Sequence, residues 1–433
     1  GTPRERTNPR ERMDPQAKER VRAPPLPAAR GAPAEILALL RLLRRSDDPP
    51  PPLPADLEWD RLVDAALGHR IVPWLCDRLE RSVEIDAPSH ARERLRALRK
   101  ENTLRAFFLT RAAVELDGRM RAAGIDVIHL KGPALAHSLH GRVDARQVGD
   151  LDILVRPEGA EAARDLLERA GFRPWWGRAV ELDARRRRSL LRSASELRYR
   201  DPDERFTVDL HWRLHADEGL ELPHEDGIWE RSEEVRLGDE AILRTLSDED
   251  NLFFLALHGT KHAWARFSWA LDMDALLARL DHAPERWRSR LELARQFGLT
   301  RPLLLGLLVA HGLLAPPHAE LACSEPRRDP VLRRMLRACY RGIARGPAGE
   351  GLHGIEKLRY ELLLRRSPRY KANVLRRIVT PAYASDWADV PLPRALSPLY
   401  VVIRPCRLAW RHLRPARASA RRESAPPPDT KTS

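Results

Sequence analysis

The spacing of apolar residues changes twice along this 433-residue chain, and that change limits the folds it can adopt. Over residues 33–124, and again after Pro223, apolar residues recur at three- and four-residue intervals, which is typical of amphipathic helices. Between these regions, residues 150–155 alternate apolar and polar side chains, while residues 196–200 and 205–212 flank a turn, which predicts strands and a hairpin. The predicted fold class is therefore α+β, with a small mixed-sheet core inserted between helical N- and C-terminal regions.

The same pattern, together with composition, divides the chain into six segments. Both ends are rich in Arg and Pro and lack apolar periodicity, so we expect them to be disordered. The predicted segments are a disordered tail (1–32), a helical N-terminal region (33–124), an α/β core (125–222), a helical region packing on the core (223–320), a basic helical C-terminal region (321–414) and a second disordered tail (415–433). No stretch reaches the roughly 18 consecutive apolar residues that a membrane-spanning helix needs.

Charge and cysteine content bear on partners and compartment rather than on fold. The chain has 76 Lys and Arg against 62 Asp and Glu, a formal net charge of +14. This excess suggests either a polyanionic partner or only a solvated surface, and we favour the surface because no nucleic-acid reader motif accompanies the basic helices. Nucleic acid is therefore a possible but not a favoured partner. The four cysteines are scattered without disulfide-like spacing, which predicts a reduced, cytoplasmic location: Cys76, Cys323, Cys339 and Cys406.

Two aspartates on one predicted strand are the first chemical signal in the sequence. Asp150 and Asp152 are two residues apart, so both carboxylates project from the same strand face, about 6.6 Å apart along the backbone. Their mutual repulsion, roughly 4 kcal/mol at about 4 Å and an effective dielectric constant of about 20, requires an opposing charge. A pair of divalent hard cations would supply it, since carboxylate oxygens are their preferred ligands. The alternative is a strand edge whose carboxylates simply face water.

The surrounding residues favour the metal interpretation. Upstream, a short predicted strand runs into Lys131, Gly132 and Pro133, where a helix begins and offers backbone N–H groups and a positive helix end to a phosphate. Downstream, Asp209 lies among apolar residues on a later predicted strand and would supply a third carboxylate. The order is thus strand, glycine turn, helix, strand with two aspartates, helix, and a later strand with one aspartate.

Three segments carry a resemblance to a known family: HLKGPAL at residues 129–135, RQVGDLDILV at 146–155 and VDLHW at 208–212. They resemble the uncharacterised bacterial nucleotidyltransferase family known as the NTP-transferase 5 group, within the DNA polymerase β-type nucleotidyltransferase superfamily. The resemblance extends over about residues 35–410, and its central motifs are more specific than the flanking helices. The usual glycine turn of the superfamily is Gly-Ser or Gly-Gly, and the Lys-Gly-Pro sequence replaces it here.

The resemblance implies roles for individual residues. Asp150, Asp152 and Asp209 would bind a two-ion Mg²⁺ centre and carry catalysis, with Asp209 helping to deprotonate the acceptor. Lys131 and Gly132 would hold the triphosphate. The implied activity is Mg²⁺-dependent transfer of a nucleoside monophosphate from an NTP to an unknown acceptor hydroxyl, on a sugar, a metabolite, a peptide or a protein. This assignment depends on the three carboxylates converging, without an arginine filling the space where the ions would lie.

Further residues near these motifs each carry two interpretations. We assign Arg146 and His211 to nucleotide binding. Arg146 would otherwise pair with Asp150 or lie on an Arg-rich surface, and His211, on the strand face of Asp209, would otherwise contact the metal or make a structural hydrogen bond. His258 and His262 have the i, i+4 spacing that zinc sites use, but no third ligand is evident nearby, and a role in lining the cleft competes with it.

The helices after residue 223 carry aromatic and acidic residues with more ordinary expectations. Trp264, Phe267 and Trp269 are more typical of core packing than of base stacking. Asp272 is expected to face solvent or to cap a nearby arginine. The basic helices of the last hundred residues are expected to be solvated faces rather than nucleic-acid or membrane-binding surfaces.

A second function, of a different class, is a non-catalytic protein that keeps the nucleotidyltransferase scaffold. It would bind nucleotide or regulate a partner and dock a polyanion through its basic helices. The altered glycine turn and the net charge of +14 support it. The presence of all three aspartates argues against it, because carboxylates that face one site are costly without a counter-charge. We therefore favour the enzyme.

Overall fold

The structure of the protein is a computed structural model that describes most of the chain between residues 32 and 413. The described residues are 32–44, 52–82, 85–175, 190–191, 194–215, 220–238, 241–314, 329–345, 352, 354–379, 390, 392 and 394–413. Both predicted disordered tails, apart from residue 32, lie outside the described residues, as does Cys323.

Helices form where the apolar spacing predicts them. They are α1 (Ala34–Leu43), α2 (Trp59–Gly68), α3 (Val72–Arg81), α4 (Ser89–Ala122), α5 (Gly132–His140), α6 (Ala160–Arg169), α7 (Ile228–Arg231), α8 (Asp248–Lys261), α9 (Phe267–Leu277), α10 (Pro284–Gln296), α11 (Thr300–Leu314), α12 (Pro330–Arg345), α13 (Gly354–Glu361), α14 (Pro368–Val379) and α15 (Tyr400–Leu413). Helix α8 begins at an N-cap, since the Ser247 hydroxyl accepts a hydrogen bond from the Asp250 N–H at 3.2 Å. Helix α11 is apolar on all sides and buried from Arg301 to Leu314, as expected of a core helix.

The described residues contain two sheets. Their strands are β1 (Ile128–His129), β2 (Asp150–Leu154), β3 (Arg173–Pro174), β4 (Glu196–Arg200), β5 (Thr207–His211), β6 (Glu233–Leu237) and β7 (Ala241–Thr245). The larger sheet has the order β1-β2-β5-β4-β3, in which β2 and β5 are parallel and the other neighbours antiparallel. The predicted hairpin is β4–β5, and the mixed sheet of an α+β fold is confirmed.

The small sheet is a hairpin that the apolar spacing does not predict, because that spacing predicts only helices after residue 223. Strands β6 and β7 are short, with four charged residues among their ten, and only Val235, Leu243 and Thr245 in them are buried. The Thr245 hydroxyl donates a hydrogen bond to the His129 carbonyl at 2.9 Å, which holds the hairpin beside β1. Because these strands are short and bury only one face, they contain too few apolar residues to show the apolar–polar alternation that predicts a strand.

Helix α4 joins two hydrophobic cores. It has 34 residues and is therefore about 50 Å long. Ala91 and Leu95, in its first turns, belong to the core of the N-terminal and later helices. Leu109 and Ala113, farther along, belong to the core beneath the larger sheet. Within the described part of the chain, none of the helices combines the length and apolar composition that a bilayer crossing requires.

Candidate active site

A cavity of about 350 Å³ lies between the larger sheet and helices α8 and α9. Its volume is in the range of small-molecule sites, which typically enclose about 300–1,000 Å³. The structure brings all seven predicted site residues into its lining: Lys131, Gly132, Arg146, Asp150, Asp152, Asp209 and His211. These residues come from the turn before α5, from β2 with its preceding turn, and from β5.

The pairing of β2 with β5 brings the acids together. Asp152 and Asp209 are register partners on these adjacent parallel strands, so their side chains lie on the same sheet face. Ligand atoms of Asp152, Asp209 and His211 all lie within 4.8 Å of one another. Asp150 projects from the same strand face into the cavity but is not one of this group of three. The convergence predicted for Asp152 and Asp209 is therefore present, with His211 as their nearest third group.

Two basic side chains contact the two buried aspartates directly. Lys131 Nζ lies 2.7 Å from Asp152 Oδ1. The Arg198 guanidinium donates from Nε and Nη2 to the two carboxylate oxygens of Asp209, each at 2.6 Å. The Arg198 guanidinium therefore occupies the carboxylate of one expected metal ligand. The sequence assignment depends on the absence of an arginine from this space, and that condition is not met. The Arg198 side chain is 45% exposed, whereas that of Asp209 is 7% exposed, so the arginine approaches from the solvent side.

These contacts change how readily each acid ionises. Burial disfavours the charged form of Asp152, but Lys131 and His211 outweigh it and lower the pKa of this carboxyl below its usual range. Burial also disfavours the Lys131 ammonium, and the charge of Asp152 nevertheless raises its pKa. Burial, with Asp152 alongside, raises the pKa of Asp209 despite its hydrogen bonds to Arg198. Asp152 is therefore the firmly ionised acid of the pair.

The start of α5 forms another side of the cavity. Gly132 has φ +68°, in the left-handed region that favours glycine. A Cβ atom at this position would lie 3.5 Å from the carbonyl oxygen of Asp150. No side chain caps the first turn of α5, which leaves its backbone N–H groups available. Because helix N-termini carry a partial positive charge, this turn is suited to bind a phosphate.

Comparison with known proteins agrees with this geometry. The model of a family described as uncharacterised nucleotidyltransferases matches residues 55–315, more than half of the chain. The chain belongs to this family. The match contains β1 to β7 and the cavity helices α8 and α9, and it is narrower than the resemblance over about residues 35–410. A search of curated proteins found no significant match.

The acids of the cavity fit a divalent cation only in part while Lys131 and Arg198 contact them. Oδ2 of Asp152 is buried and accepts no hydrogen bond. The ring nitrogens of His211 lie 3.5 Å from Asp152 Oδ1 and 3.2 Å from Glu196 Oε2, without hydrogen-bond geometry. Carboxylates with one imidazole suit a cation such as Mg²⁺ or Mn²⁺. Asp209 becomes available to such an ion when Arg198 withdraws.

Arg146 has a different partner from the one considered for it in the sequence. Its Nη2 lies 2.7 Å from Oδ2 of Asp272, and His140 Nε2 lies 3.3 Å from the other oxygen of that carboxylate. Asp272 is 1% exposed, so the expectation that it faces solvent is wrong, and its arginine partner lies 126 residues away in the chain rather than locally as expected. Burial opposes its ionisation, but Arg146 and His140 lower its pKa below the usual range. This ion pair fixes Arg146 at the cavity wall.

Sequence reasoning missed several cavity residues, and Arg198 and Arg70 are two of them. The predicted hairpin contained a signal for Arg198, since the register of β4 and β5 sets it opposite Asp209, and directly opposed residues share a sheet face. Arg70 lies on the wall with φ +57°, between α2 and α3. No pattern in the sequence indicates that a residue between two helices of the N-terminal region reaches the sheet.

Proposed function

We propose that this protein transfers a nucleoside monophosphate from an NTP to an acceptor hydroxyl. The hydroxyl oxygen attacks the α-phosphorus, a new P–O bond forms, and the bond from the α-phosphorus to the oxygen bridging to the β-phosphate breaks. Pyrophosphate leaves with the bonding electrons, and the hydroxyl proton passes to a base. The residues proposed for catalysis are Asp150, Asp152 and Asp209, and those proposed for nucleotide binding are Lys131, Gly132, Arg146 and His211.

One observation carries this proposal: Asp152 and Asp209 are register partners on adjacent parallel strands and face a cavity that also contains a free helix N-terminus. Buried acids side by side repel each other, and a positively charged ligand would offset that repulsion in addition to Lys131 and Arg198. The triphosphate meets the other requirement of such a site, because backbone N–H groups at the start of α5 bind anions.

The residues that line the cavity have separate roles in the proposed reaction. Lys131 and the first turn of α5 hold the β- and γ-phosphates and receive the charge that develops on pyrophosphate. Arg146, oriented by Asp272, directs its guanidinium toward the same anion. Asp209 has a raised pKa and is the acid suited to take the proton of the acceptor hydroxyl. His211 orients Asp152 from the neighbouring strand.

A Mg²⁺ centre belongs to the same proposal. Asp150, Asp152 and Asp209 would hold it, with two ions as the expected stoichiometry. When bound, the ions supply charge neutralisation of the triphosphate and a lower pKa for the acceptor hydroxyl. The Oδ2 atom of Asp152, which accepts no hydrogen bond, supports this role. An ion at Asp209 would require the Arg198 guanidinium to leave that carboxylate, which is a testable consequence. The acceptor, whether sugar, metabolite, peptide or protein, has no identified recognition element among the described residues.

Thermal unfolding with nucleotide and Mg²⁺ tests the proposal. We expect ATP with Mg²⁺ to raise the unfolding temperature of the wild-type protein, because a ligand that binds only the native state stabilises it. The double substitution Asp150→Asn/Asp152→Asn should abolish the Mg²⁺-dependent part of this shift. Incubation with α-³²P-labelled NTPs and cell extract should label an acceptor with the wild type and not with the double variant.

The matched control is Asp203→Asn. Asp203 is an exposed acid at the tip of the β4–β5 hairpin, paired with Arg205. This variant should retain the full nucleotide shift and the labelling. The proposal is contradicted if the double variant keeps the Mg²⁺-dependent shift, or if the wild type labels nothing while binding the NTP normally.

One observation favours the second candidate, a non-catalytic nucleotide-binding or regulatory protein. Lys131 and Arg198 already neutralise Asp152 and Asp209 without any ion, so the acids are stable in a protein that never binds metal. Such a protein would dock a polyanionic partner through its basic C-terminal helices. It would bind nucleotide equally well with Mg²⁺ and with EDTA, and it would not release pyrophosphate.

A further inference from the structure

Four aromatic side chains form one continuous group on the side of the cavity opposite the acids. We call Phe254, His258, His262 and Trp269 the aromatic wall. The ring centroids of His258 and His262 are 4.9 Å apart, and Trp269 lies 5.5 Å from the first and 5.3 Å from the second. Phe254 stacks on His258 at 6.1 Å. All four rings line the cavity that holds Asp152 and Asp209.

His262 and Trp269 of the aromatic wall are accessible, unlike Phe254 and the neighbouring aromatic residues. Trp264 and Phe267 are 0% and 1% exposed, so the expectation of core packing is confirmed for both. Trp269 is partly buried and His262 is exposed, and the Arg266 guanidinium lies 5.5 Å from the centroid of the Trp269 ring. Trp269 packs against the hydrophobic core while it also lines the cavity, so the expectation of core packing holds for it in part.

The wall also stays uncharged among cations. Burial, followed by the nearby Lys131, lowers the pKa of His258 well below its usual range. Packing against its neighbours, followed by the charge of Lys261, lowers the pKa of His262 below its usual range, although part of its side chain is exposed. Both imidazoles are therefore neutral at neutral pH and present a hydrogen-bond donor, an acceptor and a π face.

The loop between α8 and α9 is built to bring these rings together. Ala263 and Trp264 have φ +50° and +52°, a conformation that costs free energy for residues other than glycine and is concentrated at functional sites. Trp264 holds the loop in place, with its indole packed where Gly259 and Gly306 have no side chain. The turn returns the chain so that Trp269 on α9 meets His262 at the end of α8.

The cavity thus places aromatic rings across from its phosphate-binding groups. One part contains carboxylates, Lys131 and a helix N-terminus, and the facing part contains neutral aromatic rings with Lys261 and Arg266 beside them. An NTP likewise joins a polyanionic triphosphate to a flat, uncharged base. We infer that the aromatic wall binds the nucleobase by stacking, with Trp269 and His262 as its principal contacts, an inference that rests on the proposed function. Because stacking accepts any base and grows with ring area, purine triphosphates should bind several-fold more tightly than pyrimidine triphosphates.

The test compares two ligands that share the phosphates and differ in the base. Dissociation constants of ATP and of inorganic tripolyphosphate are measured calorimetrically, with Mg²⁺, for the wild type, His262→Ala, Trp269→Ala and Trp269→Phe. Loss of one stacked ring weakens base binding by about 5- to 100-fold, so the two alanine variants should bind ATP that much more weakly. Their tripolyphosphate constants should not change, and Trp269→Phe should recover most of the ATP affinity.

The control is His282→Ala, which removes a histidine that stacks on Trp287 at 6.2 Å outside the cavity. It should bind both ligands as the wild type does. Equal losses of ATP and tripolyphosphate in the alanine variants, or no loss of either, overturn the inference while the proposed function stands. Unchanged ATP binding combined with lost transfer would assign the wall to the acceptor and also overturn it. If the wild type binds neither ligand, the proposed function fails, and this inference fails with it.

Discussion

Arg198 is the residue whose position most affects what the cavity can do. Its two hydrogen bonds saturate the Asp209 carboxylate, while Lys131 leaves one oxygen of Asp152 without a partner. The two cations therefore differ in effect. Lys131 coexists with a metal ion at Asp152, whereas Arg198 competes for the oxygens that an ion at Asp209 would use. Exchange of the guanidinium for a cation requires a side chain that can leave, and 45% exposure allows that.

Replacing Arg198 should therefore strengthen metal binding in the absence of nucleotide. Arg198→Met removes the competing charge and keeps an apolar stem of similar length. Partly exposed ion pairs are worth about 1 kcal/mol or less, so we expect Mn²⁺ to bind up to about fivefold more tightly, measured by electron paramagnetic resonance of free Mn²⁺. Arg200→Met is the control, because it removes the same charge two residues along β4, where Arg200 pairs with Glu204. Equal gains in both variants, or weaker binding in Arg198→Met, would refute direct competition.

At the scale of elements, the sequence predicts what local periodicity determines. Helices such as α4 and α11 and the β4–β5 hairpin follow from their apolar spacing and turn residues, and they were correctly expected. The short charged hairpin β6–β7 was not, because its stability comes from contacts with β1 rather than from its own pattern. The same limit applies to the site. The positions of the acids follow from their strands, but the 126-residue separation between Arg146 and Asp272 leaves their ion pair without a local signal.

At Gly259 of helix α8, helix propensity and side-chain packing predict opposite effects of an alanine substitution on stability. An alanine in a helix interior is favoured over glycine by about 1 kcal/mol. A Cβ at position 259, however, would lie 2.5 Å from Cε2 of the Trp264 indole, and a rigid, fully buried ring cannot withdraw. Overpacking typically costs about 1–3 kcal/mol, so we expect Gly259→Ala to lower the free energy of unfolding, measured by urea denaturation.

Gly118→Ala provides the control for that prediction. Gly118 is an exposed glycine in α4, and nothing lies within 4 Å of the position that a Cβ would take. Propensity acts alone there, so this variant should be more stable by up to about 1 kcal/mol. If the alanine substitutions at positions 259 and 118 change the free energy of unfolding in the same direction, the packing of Trp264 does not require a glycine at position 259.

At the scale of the whole molecule, the N-terminal helices and the cavity helices share one hydrophobic core. His69 lies at their junction, after α2, and is 0% exposed. Its ring packs against Phe267 of α9 at a centroid distance of 4.3 Å and an interplanar angle of 42°, and its carbonyl accepts a hydrogen bond from the Ser268 N–H. Neither ring nitrogen makes a hydrogen bond. At the contact between the N-terminal helices and the cavity helices, the imidazole of His69 is thus packed as an apolar ring would be.

This junction should make the protein sensitive to acid. Burial, aided by the charge of Arg266, lowers the pKa of His69 from 6.5 to about 4. The unfolded chain therefore binds a proton between pH 6.5 and 4 that the native state does not, and the stabilisation present above pH 6.5 is lost as the pH falls toward 4. The loss amounts to about 1.4 kcal/mol per pH unit for this one residue.

Replacing His69 with phenylalanine should remove that part of the pH dependence. The substitution keeps a ring against Phe267 and sacrifices no hydrogen bond of the imidazole, so stability at pH 7 should change little. Between pH 6.5 and 4.5, the free energy of unfolding of His69→Phe should fall less steeply than that of the wild type, by about one proton in the linkage slope. His90→Gln, at an exposed histidine in the first turn of α4, should leave the slope as it is in the wild type. An unchanged slope in His69→Phe would mean that the ring is protonated in the native state, and that the two helical regions are joined by a charged group rather than by an apolar one.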